Sequence, residues 1–110
     1  MSGGACLVYV TASSKAEAAA LAEAVVGERL AACANVLGDI QSIFFWDGAV
    51  RSDGEVALLL KTAVDRLDDL TARIAALHSY DEPCVIALPI IGGSADFVDW
   101  IERETREPGS

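Results

Sequence analysis

One short segment of the chain gathers most of the side chains that could bind a ligand. From His78 to Cys84 the sequence places an imidazole, a phenol, two carboxylates and a thiol within seven residues. Imidazole and thiolate are good ligands for copper and zinc, and carboxylates can complete such a set. His78, Asp81, Glu82 and Cys84 are therefore the candidate metal ligands. The alternative is a polar loop with His78 at a helix C-terminus, where a cation is favourable.

The remaining residue types argue against a catalytic centre. His78 is the only histidine, so any Ser-His-Asp or Cys-His arrangement would have to include it. Asp65, Asp68 and Asp69 fall in the first turns of a predicted helix, where carboxylates complement the helix dipole. Gly92-Gly93-Ser94 is the nearest approach to a phosphate-binding loop, and a turn followed by a helix cap explains it. The sequence predicts a binding protein without an obligatory cofactor, rather than an enzyme.

Composition narrows the partners further. With 8 Lys and Arg against 17 Asp and Glu, the 110-residue chain carries a net charge of −9, which disfavours nucleic acids and anionic membranes. No apolar run approaches the roughly 18 residues of a membrane span. The three cysteines form no C-x-x-C pair, and the N-terminus has no signal-peptide pattern. These features predict reduced thiols and a cytoplasmic protein.

Hydrophobic patterning predicts the elements that must position these side chains. The apolar run over residues 5–11 is typical of a central strand, buried on both faces. Ser14 and Glu17 form a capping box that opens the first helix, and Thr62 to Asp65 has the same character at the start of the second. Residues 84–88 are expected to form an edge strand or a bulged strand, because Pro89 lacks the N–H that pairing needs, and Ser94 is expected to cap a final helix.

A long hairpin lies between the two predicted helices. Its first strand runs from residue 34 or 35 to Trp46, and Asp47-Gly48 is a strong hairpin-turn signal. The second strand is expected to bend or bulge at Asp53-Gly54 and to resume over residues 55–61. The hairpin tip, Ile43-Phe44-Phe45-Trp46, is apolar on both faces. A second subunit would cover it, unless the terminal helix does.

The element order predicts an α+β protein, a ferredoxin-like split β-α-β-β-α-β sandwich with an extended hairpin and a C-terminal helix. One domain is expected over residues 1–110, with an ordered core at about 5–103 and a flexible tail at 104–110. Hydrophobic residues make up 53% of the chain, above the usual value of about 45–50%. A subunit interface is the simplest place for this excess.

Several sequence pieces, in this order, resemble the divalent-cation tolerance protein family, CutA. They are Arg29-Leu-Ala-Ala-Cys-Ala-Asn35, Ser42, Trp46-Asp-Gly48, Glu55, Leu59-Leu-Lys-Thr62, His78-Ser-Tyr80, Pro83, Pro89-Ile, Gly92 and Trp100. The resemblance implies a ferredoxin-like fold and a compact homotrimer whose hairpins pair across subunits. It also implies a link to metal tolerance, for which copper binding has been proposed. The family is similar in architecture to the trimeric PII signalling proteins, which bind small effectors in clefts between subunits.

The chain departs from the family pattern in the candidate loop, where the family usually reads His-Pro-Tyr-Glu and this chain has His78-Ser-Tyr80-Asp81, and where a glutamate commonly stands at the position of Cys84. Ser79 replaces a proline, which is expected to loosen the loop, and Cys84 replaces a glutamate, which favours Cu(I) or Zn(II). The resulting hypothesis is a trimeric cytoplasmic binding or sensor protein linked to divalent metal tolerance, with copper or another divalent metal as a ligand. The alternatives are a PII-like trimer that binds a small anionic effector, and a structural scaffold. An effector cleft would use these residues: Arg29, Trp46, Glu55, Lys61 and Tyr80.

Overall fold

The structure, a computed structural model, describes residues 4–106. Its elements are β1 (Ala5–Ala12), α1 (Lys15–Gly27), β2 (Cys33–Trp46), β3 (Ala49–Ala63), a 3₁₀ turn (Val64–Arg66), α2 (Leu67–Leu77), β4 (Val85–Pro89) and α3 (Ala95–Glu104). The four strands form one antiparallel sheet in the order β2-β3-β1-β4. The predicted α+β split β-α-β-β-α-β fold with an extended hairpin and a terminal helix is therefore confirmed.

The core lies between one face of the sheet and the first two helices. Alternate residues of a strand point to the same face, and the even-numbered residues of β1 and β3 pack against α1 and α2. The buried side chains of this layer include Val8, Val10, Leu21, Val25, Leu58, Leu60, Leu70 and Ile74. β1 is central, as predicted, and β4 is an edge strand, as predicted.

The second face of the sheet is apolar and only partly covered. Tyr9 lies opposite Leu59 and Ile86 in the strand register, and Leu7 lies opposite Leu88. Ile86 and Leu88 are 57% and 50% exposed, and the other three are half-buried. The prediction that β1 is buried on both faces is wrong for Leu7 and Tyr9, which are only half-buried because α3 covers only part of this face, whereas Ala5 and Thr11 are buried.

The hairpin of β2 and β3 makes the molecule elongated, with extents of 46 × 26 × 22 Å. Asp47 and Gly48 both have positive φ, 52° and 77°, as a two-residue type I′ turn requires. The predicted bend at Asp53-Gly54 is wrong, because both residues pair with β2 in uninterrupted register. The irregularity lies in β2, between Val36 and Gly38. Gly38 has a φ of 114°, which glycine adopts at little cost.

The hairpin tip is exposed. Ile43, Phe45 and Trp46 are 68%, 72% and 66% accessible, and Val50, opposite Phe45, is 71% accessible. The alternative in which the terminal helix covers the tip is therefore wrong. Large apolar side chains exposed together in this way are typical of a protein–protein contact surface.

Three capping predictions can be compared with the helix ends. The Ser14 hydroxyl accepts a hydrogen bond from the Glu17 N–H, as predicted, but the Glu17 carboxylate accepts from Ser13 and not from the backbone of Ser14. Ser94 caps α3. The capping box at Thr62 is wrong, because β3 extends through Ala63 and the Thr62 hydroxyl donates to the Leu30 carbonyl at 2.7 Å.

Residues 104–106, the first part of the predicted flexible tail, belong to the folded domain. α3 ends at Glu104, and Thr105 is fully buried, with its hydroxyl donating to the Ile101 carbonyl at 2.9 Å. The rest of the predicted tail, residues 107–110, lies outside the described residues. Among residues 4–106, every helix is too short or too polar to span a membrane.

Candidate functional site

A hollow of about 690 Å³ lies between the hairpin and the loop that follows α2. Phe44 and Trp46 of β2 and Asp53 and Glu55 of β3 form one wall, and residues 79–82 form the other. Phe44 and Trp46 share a face of β2, as do Asp53 and Glu55 on β3, because each pair is two residues apart. We call this feature the acidic hollow.

The His78 side chain packs under the loop and is inaccessible to solvent. Its Nδ1 accepts a hydrogen bond from the Tyr80 N–H at 3.0 Å, and its Nε2 lies 2.8 Å from the Thr11 carbonyl oxygen. A nitrogen that accepts a backbone N–H carries no proton, so the network assigns the hydrogen to Nε2, which donates to Thr11. Both ring nitrogens are engaged, and His78 is a structural residue here.

Glu17, in the first turn of α1, fixes the loop from the side. Its carboxylate accepts from the Ser79 N–H at 2.8 Å and from the Ser79 hydroxyl at 3.0 Å. Burial opposes ionisation of Glu17, but hydrogen bonds from Ser13 and Ser79 outweigh it and lower its pKa to about 2. The expected loosening by Ser79 is therefore wrong: a proline would lack the N–H that Ser79 donates.

Tyr80 connects the loop to the hairpin. Its hydroxyl donates to Glu55 Oε2 at 2.9 Å, and its ring lies 4.6 Å from the His78 ring. Burial, followed by the hydrogen bond to the Glu55 carboxylate, raises the pKa of Tyr80 to about 12. The phenol stays protonated at neutral pH, so it remains a donor that orients the Glu55 carboxylate.

The predicted metal-ligand set is not assembled in a single subunit. Asp81 and Glu82 line the hollow, but His78 is committed to the backbone. Burial, with a smaller contribution from the Glu55 charge, raises the pKa of the Cys84 thiol, which disfavours the thiolate that soft metals need. Within the described part of the chain, no three His, Cys, Asp or Glu side chains converge as ligands.

Within one subunit, the residues predicted for an inter-subunit effector cleft lie in separate places. Trp46, Glu55 and Tyr80 line the acidic hollow. Lys61 lies elsewhere: its Nζ is 2.6 Å from Asn35 Oδ1 and 5.8 Å from the centre of the Phe97 ring. Among the described residues, those lining the hollow include no cationic side chain. Its electrostatic character is therefore negative.

Arg29 is also remote from the hollow and ties two helix ends together. It has a φ of 62°, the left-handed conformation that ends many helices. Its Nε donates to the Arg106 carbonyl at 2.9 Å, and its Nη2 donates to the Arg103 carbonyl at 3.4 Å. These carbonyls lie at the negative end of the α3 dipole, where a guanidinium is favourable.

Sequence reasoning missed Phe44 and Asp53 as site residues. Each lies two positions before a residue that was selected, Trp46 and Glu55 respectively. The two-residue periodicity of a strand predicts that such neighbours share a face. Applied to both strands of the hairpin, it would have placed all four side chains on one wall.

Residues 6–104 match the family described as CutA1 divalent ion tolerance protein. A rice protein named Protein CutA 1, chloroplastic, is 44% identical over 92% of this chain and 57% of its own length. The chain thus spans little more than half of that relative. The divalent-cation tolerance protein CutA of Thermus thermophilus is 40% identical over 90% of this chain and 96% of its own length. The crystal structure of rice CutA1 superposes with a TM-score of 0.92 at 42% identity, covering 96% of this chain and 97% of that one.

Proposed function

The chain belongs to the CutA1 divalent ion tolerance family, and on that premise we propose that it forms a cytoplasmic homotrimer that binds divalent cations in the acidic hollow. The observation that carries the proposal is the set of four carboxylates that line the hollow: Asp53, Glu55, Asp81 and Glu82. Carboxylate oxygens are the protein ligands that hard divalent cations prefer. The protein acts by binding, and the relatives are named for tolerance of cations rather than for a reaction.

Copper(II) is the transition metal that the hollow would bind most tightly. For a given set of oxygen and nitrogen ligands, affinity rises along the first-row divalent metals to copper. Because no three candidate ligands converge among the described residues of one subunit, we propose that the ion keeps part of its water shell, or that a neighbouring subunit completes the coordination. The raised pKa of the half-buried Cys84 thiol argues against the soft Cu(I) site that its position in the sequence favours, because it disfavours the thiolate that such a metal needs.

A small anionic effector is the weaker alternative. Negative walls would repel it, and the two cations selected for such a ligand, Arg29 and Lys61, bond to oxygens elsewhere in the fold. A structural scaffold would use the apolar surfaces without needing the hollow at all. Loss of cation binding in hollow variants that still assemble separates these alternatives from the proposal.

The homotrimer is supported by two exposed apolar surfaces. One is the second face of the sheet, where Ile86 and Leu88 are at least half exposed, and the other is the hairpin tip around Phe45. Burial of apolar area provides about 25 cal/mol per Å² of stabilisation. Self-association is the most direct way for this chain to obtain it.

The cytoplasmic location is supported by the thiols. Cys6, Cys33 and Cys84 are all free, as expected in a reducing compartment. The name of the rice relative assigns that protein to the chloroplast. Fractionation of the cells that produce this protein tests the location, and recovery in an oxidising compartment would contradict it.

Assembly and metal binding can be tested on the same samples. Sedimentation should give three times the 11.5 kDa protomer mass. Calorimetric titration with copper(II) chloride should show affinity at least about tenfold weaker, or 1.4 kcal/mol, in an Asp81→Asn/Glu82→Gln variant. The control Asp68→Asn/Asp99→Asn removes two charges from exposed helical positions and should bind as wild type does. A monomer, or equal losses in both double variants, would contradict the proposal.

A further inference from the structure

The acidic hollow has room for more than a hydrated metal ion. Its volume is about 690 Å³, whereas six waters around an ion occupy about 180 Å³ at about 30 Å³ each. Pockets for small organic ligands measure about 300–1,000 Å³. The size of the hollow therefore suits an organic molecule.

Aromatic rings form part of the lining. Phe44 and Trp46 lie on the same face of β2, are 40% and 66% exposed, and line the hollow together with Tyr80. An ammonium group is attracted to the face of such a ring within about 6 Å, most strongly to tryptophan. Methylene groups gain by packing on the same rings. A hydrated metal ion gains from neither contact, so the aromatic residues favour a cation that carries hydrocarbon.

The carboxylates are divided between the two walls of the hollow. Asp53 and Glu55 lie on the hairpin, and Asp81 and Glu82 lie on the facing loop. Tyr80 holds the Glu55 carboxylate through a 2.9 Å hydrogen bond. Two separated negative groups with aromatic rings beside them suit a molecule that carries positive charges at both ends of a flexible hydrocarbon chain.

We propose that the acidic hollow binds linear aliphatic polyamines, with ammonium groups on the carboxylates and methylene segments against Phe44 and Trp46. The inference rests on the proposed function in one respect, which is that the hollow is a cation site. It differs in the ligand class and in making the aromatic residues part of the recognition.

Calorimetric titration of the intact assembly with spermidine tests this inference. Trp46→Leu keeps an apolar side chain but removes the ring, and it should weaken spermidine binding about three- to tenfold. Copper(II) binding should not change in that variant. The matched control is Phe97→Leu, an exposed aromatic residue of α3 that does not line the hollow, and this variant should bind spermidine as wild type does. Phe44→Leu repeats the test if Trp46→Leu alters the sedimenting mass.

Each outcome bears on a distinct claim. If spermidine binds equally to wild type, Trp46→Leu and Phe44→Leu, and weakens in Asp68→Asn/Asp99→Asn, the acidic surface alone is responsible and the inference is overturned. If copper(II) binds in the hollow and spermidine does not, the inference fails while the proposed function stands. If neither binds to a correctly assembled protein, both fail.

Discussion

Replacement of His78 by alanine should destabilise the protein without removing a metal ligand. The imidazole is fully buried and bonds to two backbone groups, the Thr11 carbonyl and the Tyr80 N–H. Leaving the buried carbonyl unpaired costs about 1–3 kcal/mol, and the partly buried N–H adds about 1 kcal/mol. We expect His78→Ala to lower the free energy of unfolding by about 2–4 kcal/mol.

Two conservative variants divide this loss between the nitrogens. Asparagine can place its amide oxygen near the Nδ1 position and accept from the Tyr80 N–H. Glutamine can place its amide nitrogen near the Nε2 position and donate to the Thr11 carbonyl. His78→Asn and His78→Gln should each lose about half as much stability as His78→Ala, because each keeps one of the two hydrogen bonds.

Urea unfolding at one fixed protomer concentration is the appropriate assay, since assembly makes the apparent stability depend on concentration. Copper(II) titration of the folded variants provides the second measurement, and their affinity should match wild type. A change in stability of less than about 0.5 kcal/mol in His78→Ala would show that the two hydrogen bonds of the imidazole do not stabilise the fold. Loss of copper(II) binding at unchanged stability would instead assign His78 as a ligand.

Three further results follow from the same contacts. The pKa of Glu17 is depressed from 4.5 to about 2, so its stabilisation, about 1–3 kcal/mol, is present above pH about 4.5 and is lost as the pH falls toward 2. In Glu17→Gln, the free energy of unfolding, measured by urea unfolding at a series of pH values, should fall less steeply toward low pH. An unchanged pH dependence would contradict this. Gly38→Ala should lower the free energy of unfolding by about 1–2 kcal/mol because Gly38 has a positive φ. Gly54→Ala, in the regular part of β3, should be neutral or stabilising. Equal losses in the two variants would indicate that the chain does bend at Gly54. Arg29→Gly should be more stable than Arg29→Ala by about 1 kcal/mol, since only glycine relieves the left-handed strain; thermal unfolding that ranks them in reverse would refute this.

The fold was predictable because its signals are local and agree with one another. Asp47-Gly48 specifies the turn, Ser14 specifies a helix start, and the run from Ala5 specifies a central strand. The errors arose where a local pattern was overridden by tertiary contacts. Thr62 has the sequence of a cap, but strand pairing with β1 extends β3 past it, and its hydroxyl finds the Leu30 carbonyl instead.

The site was harder to predict because ligand chemistry does not reveal whether a side chain is available. His78 is an excellent ligand by type, but the fold uses both of its nitrogens internally. Lys61 is a scarce cation, yet it bonds to Asn35 rather than facing the hollow. Only the three-dimensional arrangement joins Asp53 of the hairpin with Asp81 of a loop that is distant in sequence.

The most direct test of cation binding in the acidic hollow is anomalous diffraction at the copper edge from crystals of the assembled protein soaked in copper(II) chloride. We expect a peak in each hollow, bound to its carboxylates directly or through water, with the His78 ring still bonded to Thr11. Peaks only at other sites, such as the Cys33 thiol, with no density in the hollow, would contradict it.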